Sequence, residues 1–148
     1  MSDLEPGTRF RPILESEHTS RSIKTVILCS GKHYYSLLEY ITQTAAAADR
    51  LSDFCFVRIE ELSPFPRAEL ANILRRYKRA DLVWAQEEPE NQGPWTYVRP
   101  RLEQITRGLG KYRKIRYAGR KSGATVATGV GAWHKAESLE ILRDAFRF

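Results

Sequence analysis

Apolar positions along this chain come in blocks whose period changes from one block to the next. Residues 24–29, 54–59 and 82–85 are runs dominated by Val, Ile, Leu, Phe and Cys with almost no polar interruption. A strand that is hydrophobic at successive positions is covered on both faces, as in a parallel sheet held between helical layers. Between these runs the spacing shifts to three and four: Tyr34, Leu37, Leu38 and Ile41, extended by Ala45 to Ala48; then Leu70, Ile73, Leu74 and Tyr77; then Val98, Leu102 and Ile105. Each stripe predicts an amphipathic helix. A fourth strand is expected over residues 115–118, a short one near Val126, and a closing helix through Ala136, Leu139, Leu142 and Phe146. Residues 8–14 alternate and carry Pro12, which suits an edge strand. Residues 15–22 are polar and read as a loop. Pro100 is expected to kink or split the third helix. Strand alternating with helix through right-handed crossovers predicts a three-layer α/β/α domain over residues 23–148, with residues 1–22 as N-terminal edge strand and linker.

Length and composition add bounds. At 148 residues, 42% hydrophobic and 28% charged, one ordinary globular domain with its own core is expected. No apolar run approaches the roughly 18 residues of a membrane helix, so no membrane partner is expected. The segment 1–7 has neither a signal-peptide core nor the character of a transit peptide. Cys29 and Cys55 both fall in strand-like runs, without CxxC or Cys/His spacing. Buried, reduced thiols follow, and with them a cytosolic or matrix compartment. The net charge of +6 admits nucleotides, coenzyme phosphates, nucleic acid or acidic proteins as partners. In the basic run 111–117, Ile115 and Tyr117 alternate with Lys114 and Arg116. Basic residues interleaved with aromatics can bind single strands, but a half-buried strand with one solvated face explains the alternation without any ligand. Nucleic acid is therefore not expected.

Candidate chemistry is sparse. His18, His33 and His134 are scattered, and no P-loop, GxGxxG, HExxH or nucleophile elbow occurs. Glu87 and Glu88 are adjacent and point apart, so no catalytic residue and no metal ligand are assigned. Ser30, Gly31 and Lys32 leave a buried strand and open a helix, where free N–H groups converge. They make a candidate phosphate or carboxylate site, with Arg58 and Arg120 as helpers. The alternative is that Ser30 simply caps the helix. The stretch 84–95 places Glu87, Glu88, Asn91 and Gln92 between two tryptophans at a strand-to-helix turn. It reads as an interface turn, with Trp84 in the core and Trp95 partly exposed to cover a neighbour. The alternative is a plain turn built by Pro89, Asn91 and Gly93.

Several segments in register carry a family resemblance: Ile27-Leu28-Cys29-Ser30-Gly31-Lys32-His33-Tyr34-Tyr35, Val57-Arg58-Ile59-Glu60-Glu61-Leu62-Ser63-Pro64-Phe65-Pro66, Gln86-Glu87-Glu88-Pro89-Glu90-Asn91-Gln92-Gly93-Pro94-Trp95, Tyr117-Ala118-Gly119-Arg120 and Ala127-Thr128-Gly129. Together they resemble the C-terminal domain of the thiamine-diphosphate-dependent 2-oxoglutarate dehydrogenase component and its 2-oxoadipate-preferring relatives. The family commonly has a proline soon after its Gly-Arg pair; here Lys121, Ser122 and Gly123 follow instead. The resemblance implies a transketolase C-terminal-like fold, a mostly parallel five-stranded sheet with an antiparallel first edge strand. For the parent enzyme it implies oxidative decarboxylation of a 2-oxo acid, in the tricarboxylic acid cycle or lysine degradation, with acyl transfer to lipoyl groups. Thiamine diphosphate and Mg are then expected in upstream domains, with no cofactor bound by this chain alone. Implied partners are those upstream domains, a second copy in a homodimer and the lipoyl acyltransferase component. The implied place is the mitochondrial matrix in a eukaryote and the cytoplasm otherwise. Two other readings stand beside it: a free-standing nucleotide- or coenzyme-A-binding module, and a nucleic-acid binder using residues 111–121.

Overall fold

The computed structural model describes residues 7–16, 23–44, 50–110, 112–125 and 128–147. Five strands, β1 (Ile13–Glu15), β2 (Thr25–Cys29), β3 (Phe54–Ile59), β4 (Asp81–Pro89) and β5 (Ile115–Arg120), form one sheet in the order β1-β3-β2-β4-β5. β1 runs antiparallel to β3, and every other pairing is parallel. Four α-helices among the described residues complete it: α1 (His33–Gln43), α2 (Arg67–Arg76), α3 (Trp95–Gly108) and α4 (Gly131–Ala145). This is the predicted α/β sheet with its antiparallel edge.

The unbroken apolar runs are explained by two separate cores. Successive side chains of a strand point to opposite faces. Val26, Leu28, Cys55, Val57, Leu82 and Trp84 therefore pack on one side, against Leu70 and Leu74 of α2 and Val98 and Leu102 of α3. Ile27, Cys29, Phe54, Phe56, Val83 and Ala85 pack on the other, against Leu37 and Ile41 of α1 and Ala145 at the end of α4. Both thiols are buried and free. Burial pushes Cys29 up to about 12 and Cys55 up to about 11, so neither is a thiolate at neutral pH.

Four expectations need correction. β4 does not end at residue 85 but continues to Pro89; from Ala85 to Pro89 it takes four steps where β5 takes two, from Ala118 to Arg120, across a bulge. Glu15 belongs to β1 rather than to a loop, because its register partner Val57 extends the ladder. α3 is not split at Pro100 but runs through it as one helix. In α4 the inward residues are Ile141 and Ala145, while Leu139 is 39% exposed. α4 packs on the sheet through its C-terminal half, while in its second turn Glu137 reaches Arg120 at the end of β5. The helical extension through Ala45 to Ala48, the strand near Val126 and the loop from residue 17 to 22 lie outside the described residues.

The basic run has an internal use. Lys114 is exposed and Ile115 buried, as the alternation predicts. The other face of β5, expected to be solvated, is covered by α4. There the Arg116 guanidinium donates to the carbonyls of Asp144, Ala145 and Arg147, at the C-terminal end of that helix. Arg113 similarly donates to the Ala80 carbonyl.

Candidate functional site

Strand order reverses between β2 and β4. The helix after β2 lies on one face of the sheet and the helices after β3 and β4 on the other. At the carboxyl edge this leaves a crevice, the place where open α/β sheets collect ligands. A cleft of about 320 Å³ sits there, lined by Ser30, Lys32, His33, Gln86, Glu87 and Glu88 among others. The topology thus brings together the two stretches singled out in the sequence.

On the β2 side, Gly31 has φ +59°, a conformation glycine adopts without strain. Ser30 does not cap α1: Lys32 occupies the cap position and no side chain bonds the first turn. The first-turn N–H groups are therefore not met by a cap. Arg58, paired in register with Cys29, stands beside this turn but is engaged. Its guanidinium lies 4.5 Å from the Tyr34 ring centroid, donates to the Tyr35 hydroxyl at 3.3 Å and lies 3.7 Å from Glu60. Arg120 is not brought to this turn. It ends β5, two strands from β2, donates to the Glu87 carbonyl at 2.9 Å and lies 3.7 Å from Glu137. A helper so far across the sheet was expected only because sequence cannot show strand order.

His33 is a residue that sequence reasoning left aside. It is 7% exposed, neither ring nitrogen has a hydrogen-bond partner, and Nδ1 lies 3.9 Å from Glu87 Oε1. Burial holds its pKa below 6.5, against the opposing pull of Glu87 and Glu88. A neutral imidazole thus floors the cleft. Its only sequence signal was its place one residue after the Ser-Gly-Lys turn.

On the β4 side, Gln86 organises the whole turn, and it too was overlooked. It is 3% exposed. Its Oε1 accepts from the Trp84 indole at 2.8 Å and from the Trp95 backbone N–H at 3.1 Å. Its Nε2 faces the carbonyls of Glu88, Pro89 and Gln92 at 3.2, 3.1 and 2.9 Å. One amide thereby ties the end of β4 to the N-terminus of α3. Trp84 is fully buried, as expected, but Trp95 is only 4% exposed. The expectation that Trp95 covers a neighbouring surface is corrected: its ring packs on Tyr117, centroids 5.2 Å apart, inside the α2/α3 core. Asn91 and Gln92 bond the backbone of Gly123, fastening the loop after β5. Glu87 remains exposed at the rim, while Glu88 is half-buried over Gly93. The largest exposed aromatic ring elsewhere is Trp133, 66% exposed, beside a cleft of about 570 Å³ at the start of α4.

Among the described residues no group of three or more His, Cys, Asp or Glu comes together to hold a metal ion. These residues do not fit a thiamine-diphosphate and magnesium centre. Nor is any helix among the described residues long and apolar enough to cross a membrane.

Fold and crevice define a doubly wound α/β domain whose switch point carries the Gln86 hydrogen-bond network. The family model for the 2-oxoglutarate dehydrogenase C-terminal region matches residues 1–146. The chain belongs to that family. It is 36% identical over 148 residues to the mouse 2-oxoadipate dehydrogenase complex component E1, covering 99% of this chain and 15% of the relative. To the zebrafish (Danio rerio) protein of the same name it is 38% identical, with the same coverage. To the 2-oxoglutarate dehydrogenase E1 component of Brucella anthropi it is 40% identical over 124 residues, 83% of this chain and 12% of the relative. The chain thus spans about 15% of the length of the 2-oxoadipate relatives it matches.

Proposed function

We propose that this chain serves as the C-terminal domain of an E1 component that oxidatively decarboxylates 2-oxoglutarate or 2-oxoadipate and passes the acyl group to lipoyl groups. The observation that carries this is the family match over residues 1–146, in register with the predicted sheet and its antiparallel edge. On this reading thiamine diphosphate, magnesium and the catalytic groups belong to preceding domains. The present chain supplies contacts to those domains, to a second copy, and within a complex containing a lipoyl acyltransferase. Its place is the mitochondrial matrix in a eukaryote and the cytoplasm in a bacterium. Exposed Glu87 and Asn91, and the open ring of Trp133, support a contact role at the carboxyl edge; buried Trp95 takes no part in it. Ser30, Gly31 and Lys32 are proposed as a regulatory anion site, supported by the uncapped α1 terminus and the strain-free turn at Gly31. Glu87 and Glu88 across the crevice keep its affinity low.

The test is made at the gene and the bench. Genomic sequence preceding codon 1 should extend the frame into thiamine-enzyme domains. The full-length product should turn over a 2-oxo acid with an artificial electron acceptor, and the 148-residue chain should not. Turnover by the short chain alone overturns the reading. For the anion site, AMP and acetyl-coenzyme A are titrated against wild type and Lys32→Ala; equal amide shifts in both remove Lys32.

A further inference from the structure

The parallel strands place every turn that leads into β2, β3, β4 and β5 on one edge of the sheet, opposite the crevice. Lys24 precedes β2, Arg50 precedes β3, Lys78 and Arg79 precede β4, and Lys114 precedes β5. α4 also ends there. Phe146, just past its end, packs on Phe54, the first residue of β3, at 5.0 Å, and Arg143 lies in its last turn. The carboxyl edge carries the glutamates instead: Glu60, Glu61, Glu87, Glu88 and Glu90. Among the described residues, cations therefore outnumber carboxylates on the amino edge, even with Glu15, Asp53, Asp81 and Asp144 there.

Part of that charge has an internal use. Lys24 and Arg50 lie 3.0 and 3.6 Å from Asp53. Arg113 and Arg116 bond carbonyls. Arg75, Arg76 and Arg107 sit in last turns, where the macrodipole favours cations. Arg143 belongs with them, in the last turn of α4; what remains is Lys78, Arg79 and Lys114. All three are exposed, and among the described residues none carries an ion pair, with Asp81 the one exposed carboxylate on a neighbouring strand start. A cluster held on rigid strand and helix ends, with no internal partner, creates a field that steers an oppositely charged surface into contact.

We infer that this amino edge is a docking face for an acidic polypeptide segment. A nucleic acid fits less well. Among the described residues, the exposed ring of Tyr112 beside this edge has one face covered by the Arg107 guanidinium, 5.2 Å from its centroid, which narrows the stacking surface open to bases. Asp81 interrupts a track for phosphates. The choice of a protein partner rests on the reading of the parent as a component of a complex.

The test uses the isotopically labelled 148-residue chain, titrated with poly-L-glutamate and with a single-stranded oligodeoxynucleotide of equal charge, at low and at physiological salt. Poly-glutamate should shift the amides around Lys78, Arg79 and Lys114, and the effect should shrink as salt screens it. Reversal of Lys78, Arg79 and Lys114 together to Glu should weaken binding at least about tenfold. Reversal of Arg11, Lys121 and Lys135, an equal change of net charge on the carboxyl side, should leave it within about twofold. Lys114→Gln alone, a milder change on an exposed side chain, serves if the triple variant does not fold, and should weaken binding measurably. Equal losses from the two triples, or shifts at the carboxyl edge, overturn the inference. Tighter binding of the oligonucleotide overturns the choice of a protein partner and turns the face over to nucleic acid. None of these outcomes touches the parent's reaction, which is tested on the full-length enzyme.

Discussion

Replacing Gln86 by alanine removes the amide that joins β4 to α3, and the structure states what it leaves behind. The Trp84 indole N–H, the Trp95 backbone N–H and the Gln92 carbonyl lose their partner. Glu88 and Pro89 keep others, since the Tyr117 hydroxyl reaches the Glu88 carbonyl and the Gln92 N–H reaches the Pro89 carbonyl. Each buried group left unpaired costs about 1–3 kcal/mol. Water entering the vacated space offsets part of the sum, so a loss of about 3–5 kcal/mol is expected, a large share of the roughly 5–15 kcal/mol that holds such a domain. Urea unfolding followed by tryptophan fluorescence measures it, with an unchanged slope showing that only stability moved. Gln86→Glu is the sharper companion. It keeps the acceptor for both tryptophan N–H groups but turns a carboxylate toward three carbonyls. Burial and those carbonyls raise its folded pKa above the unfolded value of about 4.3. A raised folded pKa leaves stability intact below about pH 4.3 and removes it as pH rises through the folded value. The deficit of Gln86→Glu against wild type should therefore narrow on acidification. A cost for Gln86→Ala under about 1 kcal/mol, or a Glu deficit that does not depend on pH, refutes the view that this amide holds the turn.

Trp84→Ala and Trp95→Ala should be similarly severe, about 3–5 kcal/mol each, because both rings are core; a near-neutral Trp95→Ala would restore the exposed reading. Gly119→Ala should cost about 1–3 kcal/mol, since its new Cβ would stand 2.2 Å from the Tyr117 hydroxyl and push Tyr117 off the Glu88 and Arg120 carbonyls; a thermal melt checks it, and an unchanged melt refutes it. His33, whose folded pKa is depressed by burial, contributes stability that is present above about pH 6.5 and lost as pH falls through the folded value. The loss between neutral and mildly acidic pH, read by urea unfolding, should be smaller in His33→Leu, and identical pH profiles would remove the buried imidazole as its source.

Periodicity alone determined the layered α/β architecture. A run such as Val26 to Cys29 is apolar at each step only if both faces are covered, and Leu37 and Ile41 recur at helical spacing because one side of α1 is covered. Pro12 placed the edge strand, and Gly31 the turn before α1. Those signals are local, so they survive in one dimension. The arrangement of the site is not local. Whether Trp95 faces solvent or core depends on Gln86 nine positions earlier and Tyr117 far beyond it. That β4 runs on to Pro89 depends on a bulge against β5. That Arg120 stands apart from Ser30 depends on β4 lying between their strands. Arg116 looked like a solvated side chain until α4 brought its C-terminal carbonyls over it. Side-chain type and spacing state which surfaces must be covered; only strand order and register decide which residue does the covering, because those pairings join positions that no sequence window contains.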